Sequence, residues 1–144
     1  MGLLYNILWV DDRIDDYKIL EIDREIESYV RELFFEPHLY MYENVEDAEK
    51  DLKSRRYDVI FSDFNISENK SGEDFINYIR KQNVNTEVLF YSAKQDLPII
   101  SLDRISFLNL KRDASYDELK KKMISLIDLT IEKLNDLTSL RGLV

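Results

Sequence analysis

The sequence predicts an α/β domain, a doubly wound parallel sheet, and three observations carry that prediction. Short apolar runs alternate five times with stretches of helical spacing along the 144 residues. Such alternation gives a parallel sheet with right-handed crossovers and helices on both faces. Polar residues stand at the ends of four apolar runs, where open parallel sheets bind their ligands.

Each element has its own signal. Residues 5–10 are short and apolar and read as a buried strand. Residues 14–34 repeat apolar side chains near helical spacing, from Ile14 through Ile22 and Ile26 to Leu33. Pro37 is expected to mark the break, with His38 in a surface loop. Leu39 to Tyr42 read as the second strand. Asn44, with Asp47 three residues on, caps a helix over 45–55. Residues 58–62 are the third strand, and Ser71-Gly72 precede an amphipathic helix carrying Phe75, Ile76 and Ile79. Residues 86–91 form the fourth strand, Pro98 interrupts a short helix, and 105–110 form the fifth strand. A last helix runs from about Ser115 to Leu137.

Bulk composition narrows the function. Hydrophobic residues make up 44%, so the chain can build a core for one domain. The net charge of −9 argues against a nucleic-acid surface, which needs Lys/Arg patches. The absence of cysteine excludes disulfides, zinc–thiolate sites and cysteine nucleophiles, and fits a reducing, cytoplasmic setting. No apolar run approaches the roughly 18 residues of a membrane span.

The chemistry concentrates at strand ends. Asp11-Asp12 follow the first strand, Asp63 the third, Ser92 the fourth and Lys111 the fifth. If the first and third strands are neighbours, three carboxylates converge, and such a cluster calls for a hard cation. Mg²⁺ suits it, with oxygen ligands and room for phosphate oxygens. A carboxylate can attack phosphorus to give an acyl phosphate. A hydroxyl and an ammonium can then hold the new phosphate oxygens. Taken singly, each residue has a plainer role: Asp11-Asp12 as helix caps, Ser92 as a capping hydroxyl, Lys111 as a solvated strand end.

With these residues in view, the chain resembles the receiver domain of two-component response regulators. The matching pieces are Ile7-Leu8-Trp9-Val10-Asp11-Asp12, Val59 to Asn65, Gly72 to Ile76 with Ile79-Arg80, Val88 to Ala93, and Phe107 to Lys111, within residues 5 to about 130. The resemblance implies a flavodoxin-like (βα)5 fold with strand order 2-1-3-4-5. It makes Asp63 the phosphoacceptor. Mg²⁺ is then bound by Asp12, Asp63 and the backbone carbonyl of Asn65, with Asp11 acting through water. Ser92 follows the phosphate and Lys111 pairs with it. The implied partner is a histidine kinase or phosphotransfer protein.

The chain also departs from the receiver pattern. Ser67 stands where a proline is usual, Gly72 comes one residue late, and Arg112 replaces the proline after the lysine. A trans bond is therefore expected before Arg112, since a non-proline cis bond costs roughly 2.5–4 kcal/mol. Leu108 holds the usual aromatic switch position, with Phe107 one place earlier.

Residues 1–130 are expected to form the receiver domain, and 131–144 an extension of the last helix toward an effector domain beyond Val144. Ile124, Ile127, Ile131 and Leu134 have a/d spacing and offer a homodimer or docking stripe. Two other functions share this fold. One is a phosphate-independent interaction module. The other is a phosphatase using Asp63, which Asn65 weakens because such enzymes place a second acid there.

Overall fold

The computed structural model describes residues 3–64, 72–82, 84–92, 103–110 and 116–142, with side chains to residue 136. Five strands form one parallel sheet in the order β2-β1-β3-β4-β5. They are β1 (Leu3–Val10), β2 (Phe35–Tyr42), β3 (Val59–Asp63), β4 (Glu87–Ser92) and β5 (Ile105–Asn109). The described helices are α1 (Tyr17–Glu32), α2 (Val45–Leu52), α3 (Gly72–Lys81) and α4 (Asp117–Gly142). The short helix expected around Pro98, and the bond before Arg112, lie outside the described residues.

The strands are nearly continuous apolar runs because helices cover both faces. Tyr5, Ile7 and Trp9 of β1 point to one face, with Val59 and Phe61 of β3 and Leu89 and Tyr91 of β4. α1 and α4 close that face with Ile19, Ile22, Ile26, Leu119, Met123 and Ile127. Leu8, Val10, Ile60, Val88 and Phe90 point to the other face, under Val45 and Ala48 of α2 and Phe75, Ile76 and Ile79 of α3. Fully burying one such side chain is worth roughly 1.5–3 kcal/mol, so a slip of one residue, which exchanges the faces, is strongly disfavoured.

Several boundaries differ from the sequence reading, each for a local reason. The helix after β1 starts at Tyr17 rather than residue 14, because Asp16 is the cap and accepts from the Lys18 N–H at 2.9 Å. Asp11 and Asp12 are therefore not its caps. Pro37 does not mark the break. α1 ends at Glu32, and Phe34 turns the chain at φ 68°. Pro37 sits inside β2, where an edge strand tolerates a missing N–H. His38 is accordingly an exposed strand residue, not a loop residue. α2 is capped by Asn44, which accepts from the Asp47 N–H, as the sequence indicates.

The last helix continues to Gly142. Its expected docking stripe belongs largely to the domain's own core. Ile127 and Ile131 are buried, Leu134 packs against the same cluster, and Thr130 bonds Tyr5 beneath it.

Candidate phosphoacceptor and metal site

Parallel register brings the acids together. Val10 pairs with Ser62, so Asp11 and Asp63 each lie one residue further, at the carboxyl edge. Asp63 in turn pairs with Tyr91. One carboxylate oxygen from each of Asp11, Asp12 and Asp63 lies within 4.8 Å of the others. Asp11 and Asp63 are buried and Asp12 is exposed. Ser92, buried, ends β4 one residue beyond Tyr91.

The backbone fixes this edge at several points. The Asp11 N–H donates to the Tyr42 carbonyl at 3.0 Å, and the Phe64 N–H to the Tyr91 carbonyl at 2.8 Å. The Gly72 N–H reaches the Phe64 carbonyl at 3.2 Å, tying the start of α3 to the end of β3. A Cβ at Gly72 would stand 2.6 Å from that carbonyl oxygen, so the approach requires glycine. The Leu110 N–H bonds the Ser92 carbonyl at 2.8 Å. Lys111, which follows Leu110, and Asn65, which follows Phe64, lie outside the described residues.

Two further residues complete the site, and sequence reading placed neither there. The Tyr91 hydroxyl donates to Asp11 Oδ2 and accepts from Trp9 Nε1 at 2.7 Å. Burial, reinforced by the charges of Asp11 and Asp63, pushes that hydroxyl well above the ordinary phenol range, so it stays protonated. The signal was present: an indole N–H and a phenol in buried strands each need a partner. The second residue is Arg13. Its backbone N–H donates to Asp11 Oδ1 at 2.8 Å, and its Nε to the same oxygen at 3.3 Å. Its Nη2 lies 3.6 Å from Asp63 Oδ2, and its Nη1 donates to the Tyr116 hydroxyl at 3.0 Å. A basic residue directly after an acidic pair was the available clue.

The donor set fits a hard divalent cation. Three carboxylates offer only oxygen, they converge closely, and Asp12 leaves one side open to solvent. Mg²⁺ is commonly held by one or two carboxylates plus water and phosphate oxygens. Asp11, tied to Tyr91 and Arg13, suits a role behind the direct ligands.

Solved structures place this arrangement among known folds. The receiver domain of a response regulator from Francisella superposes with TM-score 0.62 at 25% identity, over 88% of this chain and 98% of that one. The response regulator TrrA from Thermotoga maritima, in complex with Mg²⁺ and BeF, gives TM-score 0.58 at 24% identity, over 85% and 98%. TrrA in complex with the histidine kinase ThkA gives TM-score 0.55 at 23% identity, over 85% and 97%. The chain has the receiver-domain fold. No family model and no curated protein matches it. Among the described residues, no helix is long and apolar enough to cross a membrane.

Proposed function

We propose that this chain is a phosphoacceptor switch in which Asp63 takes a phosphoryl group from a histidine kinase or phosphotransfer protein. The observation that carries the reading is the convergence of Asp11, Asp12 and Asp63 at the carboxyl edge of a receiver-type sheet. An Asp63 oxygen attacks the phosphorus of a phosphohistidine, the new O–P bond forms as the N–P bond breaks, and the imidazole leaves. Mg²⁺, when bound, neutralises charge on the transferring group. Asp12, Asp63 and the Asn65 carbonyl are its proposed ligands, with Asp11 held behind them. The Ser92 hydroxyl and the Lys111 ammonium receive the phosphoryl oxygens once the acyl phosphate has formed. The output is a domain or protein whose contact with the switch changes on phosphorylation.

The test is intact mass spectrometry after incubation with Mg²⁺ and acetyl phosphate. One phosphoryl group, released by hydroxylamine, is expected on the wild type and none on Asp63→Asn. Equal labelling of the variant would place the phosphate elsewhere. One observation favours the phosphate-independent module instead: Arg13 already lies against Asp63. Absence of labelling, with Mg²⁺ present, would support that module.

A further inference from the structure

The acidic pocket already contains a cation, and it belongs to the chain. Arg13 touches two of the three carboxylates, with Nη2 3.4 Å from Asp11 Oδ2 and 3.6 Å from Asp63 Oδ2. We propose that Arg13 is a tethered counter-cation that sets the pocket's affinity for divalent metal, because it must leave Asp63 as the metal enters. This inference rests on Asp11, Asp12 and Asp63 being the metal site.

Two cations cannot share Asp63 at contact distance without mutual repulsion, which is strong where water is largely excluded. Asp63 is buried, so the repulsion is less screened at its carboxylate than at the open, Asp12 side of the pocket. The contacts of Arg13 are also unequal. Its bonds to Asp11 include a backbone N–H at 2.8 Å and are local in sequence. Its bond to Tyr116 at 3.0 Å reaches the residue before α4. The approach to Asp63 is the longest of these and only an ion pair. Moving Nη2 off Asp63 gives up with it at most the 3.4 Å contact to Asp11 Oδ2, and the other bonds of Arg13 can stay. The side chain has room to move, being 36% exposed. Tyr116 offers a second anchor, since its ring centroid lies 6.0 Å from the Arg13 guanidinium carbon.

Arg13 thus acts on the site in two ways. In the resting chain it offsets the repulsion among the carboxylates, so the pocket tolerates the metal-free state. When metal arrives, the same charge opposes it. A neutral residue at this position reverses both effects.

The experiment is a Mg²⁺ titration of the full 144-residue chain, followed by calorimetry and by tryptophan fluorescence. Trp9 is the chain's single tryptophan, and it is joined through the Tyr91 hydroxyl to Asp11. Arg13→Gln is expected to bind Mg²⁺ at least about tenfold more tightly than the wild type, the change a single short-range charge can produce. Arg13→Lys keeps the charge and is expected to stay within about threefold of the wild type. Asp12→Ala should lose binding both alone and in combination with Arg13→Gln. Equal or weaker binding by Arg13→Gln overturns the proposal while leaving the metal site standing. If neither wild type nor Arg13→Gln binds Mg²⁺, with both folded by circular dichroism, the metal site itself fails and the proposal with it.

Discussion

The two faces of the sheet are built from the same strands but to different rules. The face under α2 and α3 has an aromatic centre, with its polar groups, the Tyr57 hydroxyl on Asp51 and the Ser62 hydroxyl on the Asp63 carbonyl, at its margins. Phe90 stacks on Phe107 and meets Phe64 and Phe75 edge-on, with ring centroids 6.0–6.1 Å apart. The face under α1 and α4 has a comparable apolar core but carries buried polar pairs through it. Tyr5 bonds Thr130 near its amino edge, and Trp9, Tyr91 and Asp11 form a chain of bonds ending at the acidic pocket. An apolar face can fill its volume in several ways, whereas buried polar groups must be satisfied in one arrangement. The difference teaches where function is wired. Stability comes from both faces, but the α1–α4 face carries the Trp9–Tyr91–Asp11 chain of side-chain bonds that runs from core to acidic pocket.

The largest expected effect comes from opening the aromatic face. Phe75→Ala should cost about 3–5 kcal/mol in urea unfolding, as for other buried phenylalanines. Its Trp9 emission below the transition should match the wild type, because Phe75 and Trp9 belong to the cores of opposite faces. A shifted emission would show that the faces are not separate.

The next effect is smaller and of a different kind. Tyr91→Phe leaves the Trp9 indole N–H and one Asp11 oxygen without the hydroxyl between them, at a cost of about 1–3 kcal/mol. Unlike Phe75→Ala, it should also change the Mg²⁺ titration. A variant with full stability and an unaltered titration would remove the contrast between the faces.

The smallest effect concerns pH. Asp23 on α1 is half-buried, and its Oδ1 has no hydrogen-bond partner among the described residues. Burial, helped by Glu27 and opposed by Arg24, raises its pKa to about 6. The folded chain thus holds this proton more tightly than the unfolded one. Its penalty is absent below the unfolded value of 3.8 and grows as pH rises through about 6. Asp23→Asn should therefore be more stable than the wild type by about 1 kcal/mol at pH 7.5, after allowance for solvent screening. The gap should close below pH 4. A gap independent of pH would assign the effect to packing instead.

Much of this was legible in the sequence, and the omissions have physical causes. Alternating apolar runs and amphipathic stretches gave the strand and helix order, because a sheet covered on both faces needs continuous apolar strands. The acids were legible because strand ends are readable. Tyr91 carries no such signal, since its place beside Asp63 depends on register between strands far apart in sequence. Arg13 was passed over because its partners are fixed by the turn before α1, and several aspartates compete to cap that helix. Phe34 hid the end of α1, because a bulky residue at positive φ carries no turn signal. The stripe beyond Ile127 reads as a docking surface because the core cluster that takes up Ile131 and Leu134 draws on residues far off in sequence.

Asp63 and its neighbouring acids are proposed as a Mg²⁺-dependent phosphoryl site, joined through Tyr91 to the α1–α4 face. The most direct measurement is a beryllofluoride titration, with and without Mg²⁺, read by Trp9 fluorescence and by amide NMR shifts. A saturable change that requires Mg²⁺, appears in the wild type and is absent from Asp63→Asn is the predicted result. No change in the wild type, or the same change in Asp63→Asn, would contradict it.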